Sequence, residues 1–580
     1  MSNHQENYEY WLNNNYFDQN TKDELIAIKD NEDEIKERFY KDLEFGTGGL
    51  RGILGSGTNR MNIYTVRKAT QGFANYILQK DFGSDDPKKM GVAISFDCRN
   101  MSKELAEETA LVFNANGIKT FIYPELRPTP QLSFTVRHLG CCAGIMVTAS
   151  HNPPEYNGYK VYDENGSQVS YPDDEAIIEY VNAITDFATI KTMRKDKAEA
   201  AGLFNQLGTD IDDEFLKRCL GQAINTDITK EFAKDITIVY SPFNGAGNKP
   251  VRAILDKAGF KNVYVVKEQE KPDGNFPTLK YPNPEDPGAF ELAIKLAKVI
   301  DADIVLATDP DADRVGVAVK DKKGEYTHLS GNVVGVMLAD YILGQQKAKG
   351  MLPDNPAVIT SIVSSNMTKE IAKNHGINYY EVLTGFKWVG AKIKQFTGKN
   401  NFVYAFEESY GYVAGTYARD KDSVGICMLI CEMAAYFKSK GMTFFDGIEE
   451  LYKTYGYHKE GSVAITIKGI TGAEKIKRIM DYLSNNSPTT MGGQKVIEVR
   501  DYNNDIAKNP QTGATAPLGM AKSNVLYYML EDETWFCVRP SGTEPKIKIY
   551  VGVKGESHDD ADGKLDVVKK ELLAIVDSVE

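Results

Sequence analysis

Between residues 60 and 330, short β-branched runs alternate with segments of helical texture, and this alternation limits the fold more than any other feature of the chain. Val92–Phe96 precedes a helical segment over Ser102–Asn116, and Ile236–Tyr240 precedes one over Pro250–Ala258. A strand that returns to its own sheet through a helix pairs parallel with the next strand, so the pattern predicts α/β domains with mixed, mainly parallel sheets. Open sheets of this kind hold ligands beyond the carboxyl ends of their strands, so chemistry is expected just after each run.

The 580 residues have room for about four domains of roughly 150 each. Breaks are expected at the polar stretch Ala188–Asp213, at D-K-K-G after the strand Val315–Val319, and just beyond Lys438–Thr443, giving domains at 1–205, 206–322, 323–450 and 451–580. From about residue 455 the texture changes. Strands Ser462–Ile467 and Lys546–Val553 surround a helix near Glu474–Leu483, which predicts a smaller α+β domain. The aromatic-rich start, Tyr8–Phe17, is expected to pack on the first domain.

A net charge of −13 disfavours nucleic acid and anionic lipid as partners. The most membrane-like stretch, Ile426–Phe437, is interrupted by Glu432 and falls short of the ~20 residues that span a bilayer, so it reads as a core helix. The first residues have no cationic start followed by an apolar block, and a cytoplasmic location is expected. The seven cysteines show no C-x-x-C spacing and read as buried thiols in a reducing compartment.

Four motifs carry chemistry. In T-D-P-D-A-D-R (308–314), directly after the apolar run Ile304–Ala307, acids recur every second residue. In an extended segment the carboxylates of Asp309, Asp311 and Asp313 share one side, which suits Mg²⁺. A calcium-hand loop is excluded, because Arg314 and Lys320 fall where the turn Gly and the bidentate Glu belong; a solvated acidic turn is the plain alternative. In T-A-S-H-N-P-P-E-Y-N-G-Y-K (148–160), Ser150 sits on a rigid, exposed loop of the kind that presents a reactive group. No G-x-S-x-G elbow is present, and His151, as the next residue, is expected to project elsewhere, which argues against a serine-hydrolase pair. Ser150 as an ordinary turn residue is the alternative.

The third motif, F-E-E-S-Y-G (406–411), sets carboxylates and a hydroxyl after the strand Phe402–Ala405, either to grip vicinal sugar hydroxyls or to cap a helix. The fourth, R-P-S-G-T-E-P (539–545), joins Arg539 to hydroxyls and Gly542 as an anion nest, or forms a tight turn between strands. Together they make a hydroxyl acceptor, a cation site, a polyol grip and a phosphate clamp, the parts needed to move a phosphoryl group on a sugar phosphate.

At these residues the sequence resembles the α-D-phosphohexomutase superfamily of phosphoglucomutases and phosphomannomutases. FGTGGLRG (45–52), TASHNP (148–153), DPDADR (309–314), LTGFKW (383–388), FEESYG (406–411) and RPSGTEP (539–545) occur in the family's order, and the opening motif and length are most similar to the longer branch that includes phosphopentomutases. The resemblance implies a heart-shaped chain of four domains, three α/β units and a C-terminal α+β lid. It implies Ser150 carried as phosphoserine, with Mg²⁺ held by that residue and Asp309, Asp311 and Asp313. Arg51 and Arg314 would lie near the phosphate, and Lys160 matches the proton-transfer lysine. Thr384, Gly385, Lys387, Glu407 and Ser409 would contact the sugar, and Arg539, Ser541, Gly542 and Thr543 the non-reacting phosphate.

The implied reaction interconverts hexose 1-phosphate and hexose 6-phosphate, of glucose first and also of mannose, through a sugar bisphosphate, with glucose 1,6-bisphosphate as activator. A phosphopentomutase and a noncatalytic sugar-phosphate binder are the alternatives. Three positions depart from the family pattern. Phe406 stands where many members have Gly, and no His follows the 406–411 loop, so Lys421 is a second candidate for proton transfer or phosphate contact. Ser423 replaces a common Gly.

Overall fold

The computed structural model describes residues 3–46, 48–466, 470–540 and 546–579. It divides into two units, Met1–Leu329 with Phe386–Thr397 and Tyr410–Gly441, and Ser330–Gly385 with Gly398–Ser409 and Met442–Glu580.

The alternation read from the sequence builds two sheets in the first unit. Gly49–Ile53 (β1), Val92–Phe96 (β2), Thr120–Ile122 (β3), Ala143–Val147 (β4), Tyr156–Tyr162 (β5) and Phe204–Gln206 (β6) form a sheet in the order β1-β5-β4-β2-β3-β6. β4, β2, β3 and β6 run parallel, while at one edge β5 pairs antiparallel with β4 and β1 antiparallel with β5. The second sheet contains Ile238–Ser241 (β7), Val263–Val265 (β8), Ile304–Thr308 (β9), Val315–Lys320 (β10) and Tyr326–His328 (β11), in the order β11-β10-β9-β7-β8, with β9, β7 and β8 parallel. β2, β4 and β9 are buried at every residue, as strands covered on both faces must be.

The helices Ile63–Gln79 and Ser102–Ala115 pack on each other and share a core with the first sheet through Phe73, Ile77, Phe113, Ile94 and Ile145. The aromatic start packs on the same unit, as expected: Trp11 stacks on Phe17 at 4.2 Å and meets Tyr64 edge-on. The apolar stretch around 430 is a buried helix, Ser423–Ser439, lying against Thr226–Phe232 and Asn248–Ala258. Its Glu432 is tolerated there because both carboxylate oxygens accept from the backbone N–H of Ile224, at 2.9 and 3.1 Å. Among the described residues no helix is long and apolar enough to cross a membrane.

In the second unit, Pro356–Ser361 (β12), Asn378–Val382 (β13) and Asn401–Glu407 (β14) pair in parallel with β12 central. The helix Gly331–Ala348 covers β14. Phe406, the departure noted above, has room because Gly335 of this helix faces it: a Cβ there would come within 2.2 Å of the ring. The C-terminal half is an antiparallel sheet with helices His558–Ser578 and Ile470–Asn485 against it, the α+β domain foreseen from the change in texture.

Candidate active site

Ser150 follows β4 at its carboxyl end, where the sheet geometry places ligand chemistry. The loop itself is half-buried, with Glu155 exposed, but Ser150 is only 3% exposed. Its φ of 51° is left-handed, a conformation that costs a non-glycine residue about 1–3 kcal/mol and persists only where the surroundings over-determine it. Here the Ser150 N–H donates to Thr148 Oγ1 (2.8 Å), and that hydroxyl donates to the buried Asp97 Oδ2 (2.6 Å). The backbone kink also overturns the expectation for His151, whose Nδ1 lies 3.2 Å from Ser150 Oγ. Burial, then repulsion from Arg314 and Arg51, pushes this imidazole well below its ordinary pKa, so it is neutral.

Ser150 Oγ donates to Asp309 Oδ2 at 2.7 Å. Asp309, Asp311 and Asp313 do converge, but strand alternation is not the cause. Residues 309–313 form a tight loop with Ala312 at φ 49°, because Asp309 Oδ1 accepts from the N–H groups of Asp313 (3.1 Å) and Arg314 (3.0 Å) and folds the chain around itself. One oxygen of each carboxylate then lies within 4.8 Å of the others. Ser423, the third departure, supports this loop: its hydroxyl and its N–H both donate to Ala312 O.

Such a cluster of buried carboxylates needs cations. Lys160 Nζ donates to Asp311 Oδ2 (2.7 Å) and Asp313 Oδ2 (3.3 Å), and Lys421 Nζ lies 3.2 Å from both Asp313 Oδ2 and Asp420 Oδ1. Tyr162 OH holds the other Asp420 oxygen at 2.8 Å. Burial opposes the charge of Lys160, but Asp311 and Asp313 outweigh it and raise the pKa above the ordinary lysine value. Burial likewise works to raise Asp313, where Lys421, Lys160 and Arg314 overcome it and hold the carboxyl well below the usual range. Asp309, subject first to burial and then to the charges of Asp311 and Asp313, is held well above it. Asp311 Oδ1 and Asp313 Oδ1 are buried with no hydrogen-bond partner. Three grouped carboxylates, two of which keep an unsatisfied buried oxygen, fit a small divalent cation.

Thr129 anchors Asp311 twice, through its N–H to the backbone oxygen (2.9 Å) and through Oγ1 to Oδ2 (2.8 Å). Arg314 immediately precedes β10 and reaches Glu285 at 3.3 Å. Arg51 lies on β1, solvent-exposed, with Nη1 3.4 Å from Asn152 Oδ1. The β1–β5 register sets Arg51 opposite Gly158 and Gly49 opposite Lys160, so Arg51 and Lys160 project from one face of the sheet. Gly49, at φ 125°, allows this approach; a Cβ would meet Tyr159 O at 1.7 Å.

Thr129, Thr148, Asp97 and Tyr162 were missed in the sequence, although Asp97 follows β2 and obeys the same strand-end rule that found Ser150. Lys387, expected at the sugar, lies in this unit 3.5 Å from Asp174 Oδ2 and over the Trp388 ring.

In the second unit, Glu407 closes β14 and is buried, while Ser409 is half-buried. Glu408 accepts from Ser361 Oγ at 2.9 Å. Thr384 is half-buried and Gly385 exposed at φ 108°. Arg539 is half-buried near the end of the strand Trp535–Pro540, and Ser541, Gly542 and Thr543 lie outside the described residues.

Comparison with known proteins matches the chain to the four domains of phosphoglucomutase/phosphomannomutase: alpha/beta/alpha domain I at residues 42–187, domain II at 213–324, domain III at 330–455 and the C-terminal domain at 493–569. The phosphoglucomutase of Staphylococcus aureus (strain MRSA252) is 35% identical over 536 residues, 92% of this chain and 94% of that one. The fold is similar to a phosphoglucomutase/phosphomannomutase family protein from Burkholderia thailandensis, with TM-score 0.63, 19% identity and coverage of 92% and 98%. It is also similar to parafusin, a phosphoglucomutase of Paramecium in an open form, with TM-score 0.68, 17% identity and coverage of 93% and 95%. The chain belongs to the phosphoglucomutase/phosphomannomutase family and is a phosphosugar mutase acting on hexose phosphates.

Proposed function

We propose that the chain interconverts glucose 1-phosphate and glucose 6-phosphate, and also the mannose phosphates, through a phosphoserine at Ser150 and a hexose bisphosphate. The observation that carries this reading is the 2.7 Å approach of Ser150 Oγ to Asp309 beside the grouped Asp311 and Asp313. Curated phosphoglucomutases of 35% identity support glucose as the sugar.

A phosphoserine carries about −1.5 to −2 charge at pH 7, so an arriving sugar phosphate is repelled unless the site is cationic. Arg51, Arg314, Lys160 and Lys421 serve that purpose. A Mg²⁺ ion held by Asp309, Asp311, Asp313 and the Ser150 phosphate would neutralise phosphoryl oxygens and take up the carboxylate charge that keeps Lys160 protonated. In the forward step the free sugar hydroxyl bonds to phosphorus, the Ser150 Oγ–P bond breaks, and the hydroxyl proton passes by way of Lys160 or Lys421 to Ser150 Oγ. The reverse step, after the bisphosphate turns around, returns its other phosphate to Ser150. The transition state is loose in most analyses, which leaves the protein to align oxygens and stabilise charge.

Thr384, Gly385, Lys387, Glu407 and Ser409 are assigned to the sugar, and Arg539, Ser541, Gly542 and Thr543 to the distal phosphate. Domain borders at 1–205, 206–322, 323–450 and 451–580 complete the proposal. The test is incubation with glucose 1-phosphate, Mg²⁺ and a trace of glucose 1,6-bisphosphate, which should yield glucose 6-phosphate in the wild type and none with Ser150→Ala. Absence of turnover with the 1-phosphates of glucose, mannose, glucosamine and ribose alike refutes it.

A further inference from the structure

Arg99 follows β2 and takes no part in the scheme above. It is 3% exposed, and its guanidinium faces the loop after β4. Nε and Nη2 donate to Ser150 O at 3.2 and 2.6 Å, Nη1 donates to Pro153 O at 2.8 Å and Tyr156 O at 3.1 Å, and Nη2 also donates to Asn152 O. A guanidinium has five N–H donors, and all five are spent on backbone carbonyls of residues 150–156. None is left for a substrate phosphate. Four carbonyl dipoles aimed at one point repel one another unless a cation sits between them, so the loop's shape depends on this side chain. Asp97, whose Oδ2 is 3.6 Å from Arg99, and the Phe276 ring at 5.1 Å fix the guanidinium from behind. The same Asp97 oxygen accepts from Thr148, which holds the Ser150 N–H. Both ends of the left-handed residue are thus tied to one buried ion pair.

We propose that Arg99 is a positioning residue for phosphoryl transfer, holding Ser150 in its left-handed backbone conformation so that Oγ stays at Asp309. The proposal rests on Ser150 being the phosphate carrier. A misplacement near 1 Å can cost about 100-fold in rate. Arg99→Met should therefore slow both kcat and the labelling of Ser150 by glucose 1,6-bisphosphate, followed by intact-protein mass, by about that factor, while KM for glucose 1-phosphate changes little because the substrate cations are untouched. Arg99→Lys keeps the charge with three donors and should recover part of the labelling rate; it also serves if the Met variant fails to fold. The control is Arg67→Met, which breaks a half-buried ion pair to Glu108 (2.8 Å) away from the loop. That variant should lose melting temperature but label Ser150 at the wild-type rate.

Wild-type labelling rates in the Arg99 variants overturn the proposal, as does slowing in the Arg67 variant that matches its melting loss. If wild-type Ser150 never takes the label, the carrier assignment falls and the role of Arg99 with it.

Discussion

Replacing Thr129 with Val isolates one contact of the cation site. The two side chains are nearly the same size, so the buried space stays filled, and the N–H bond to the Asp311 backbone survives. What disappears is the 2.8 Å hydrogen bond from Oγ1 to Asp311 Oδ2, between two fully buried side chains. A hydrogen bond to a charged group contributes about 1.5–3 kcal/mol, and about 1.4 kcal/mol corresponds to a factor of ten. Without it the carboxylate turns toward Lys160, which already donates to the same oxygen at 2.7 Å, and its grouping with Asp309 and Asp313 loosens. Loss of an orienting partner of this kind costs roughly 10–100-fold in metal affinity. Titration of Mg²⁺ into the protein by calorimetry, paired with the Mg²⁺ dependence of mutase rate, should show the midpoint moving up by that factor, while the rate at saturating Mg²⁺ falls much less. An unchanged midpoint with a lowered melting temperature would show that Thr129 only fills space, and the account of the site would fail.

Gly335→Ala places a Cβ 2.2 Å from the Phe406 ring and should destabilise by about 1–3 kcal/mol, read in urea unfolding, with recovery in the double variant Gly335→Ala/Phe406→Leu. Glu460 is raised from 4.5 to about 7 by burial, against a hydrogen bond from Ser365. Between those two values the folded state binds more protons than the unfolded chain, so stability is lost as pH rises through the window. Glu460→Gln should accordingly raise the melting temperature at pH 8 and leave it almost unchanged at pH 4.5; an equal gain at both pH values contradicts the assignment. Lys421→Met removes one of two ammonium groups from Asp313 and should lower stability by about 3–5 kcal/mol in chelator, as breaking a buried pair does. Added Mg²⁺ should then restore more melting temperature to this variant than it adds to the wild type.

Much of the architecture was legible because it depends on patterns a linear reading can follow. β2 was bounded to the residue, and the Ser102 helix began where expected, since apolar runs and turn residues mark these boundaries locally. Ser150 and the three acids were found from their place after strands. The reason the acids meet was misread: spacing suggested an extended strand, whereas the Asp309 carboxylate bonds backward to its own loop, a contact that spacing does not encode. His151 was misplaced for the same reason, because the left-handed turn at Ser150 depends on groups more than fifty residues away in sequence, Asp97 among them. Thr129 and Tyr162 carry no motif at all; each is defined by a partner more than 180 residues distant. Phe406 and Ser423 looked like departures, and each is answered by a neighbour, Gly335 in one case and Ala312 in the other.

The pairing of β1 with β5 has a mechanical consequence. Arg51 and Lys160 are separated by more than a hundred positions along the chain, yet one short ladder at the rim aims them both. A shift of that ladder by a single rung would turn Arg51 to the opposite side of the sheet while Lys160, held by the pairing of β5 with β4, stays where it is, so the two cations act together only in the seated register. Gly49 acts as the ratchet tooth, since any larger residue collides with the neighbouring strand and forbids the seated position.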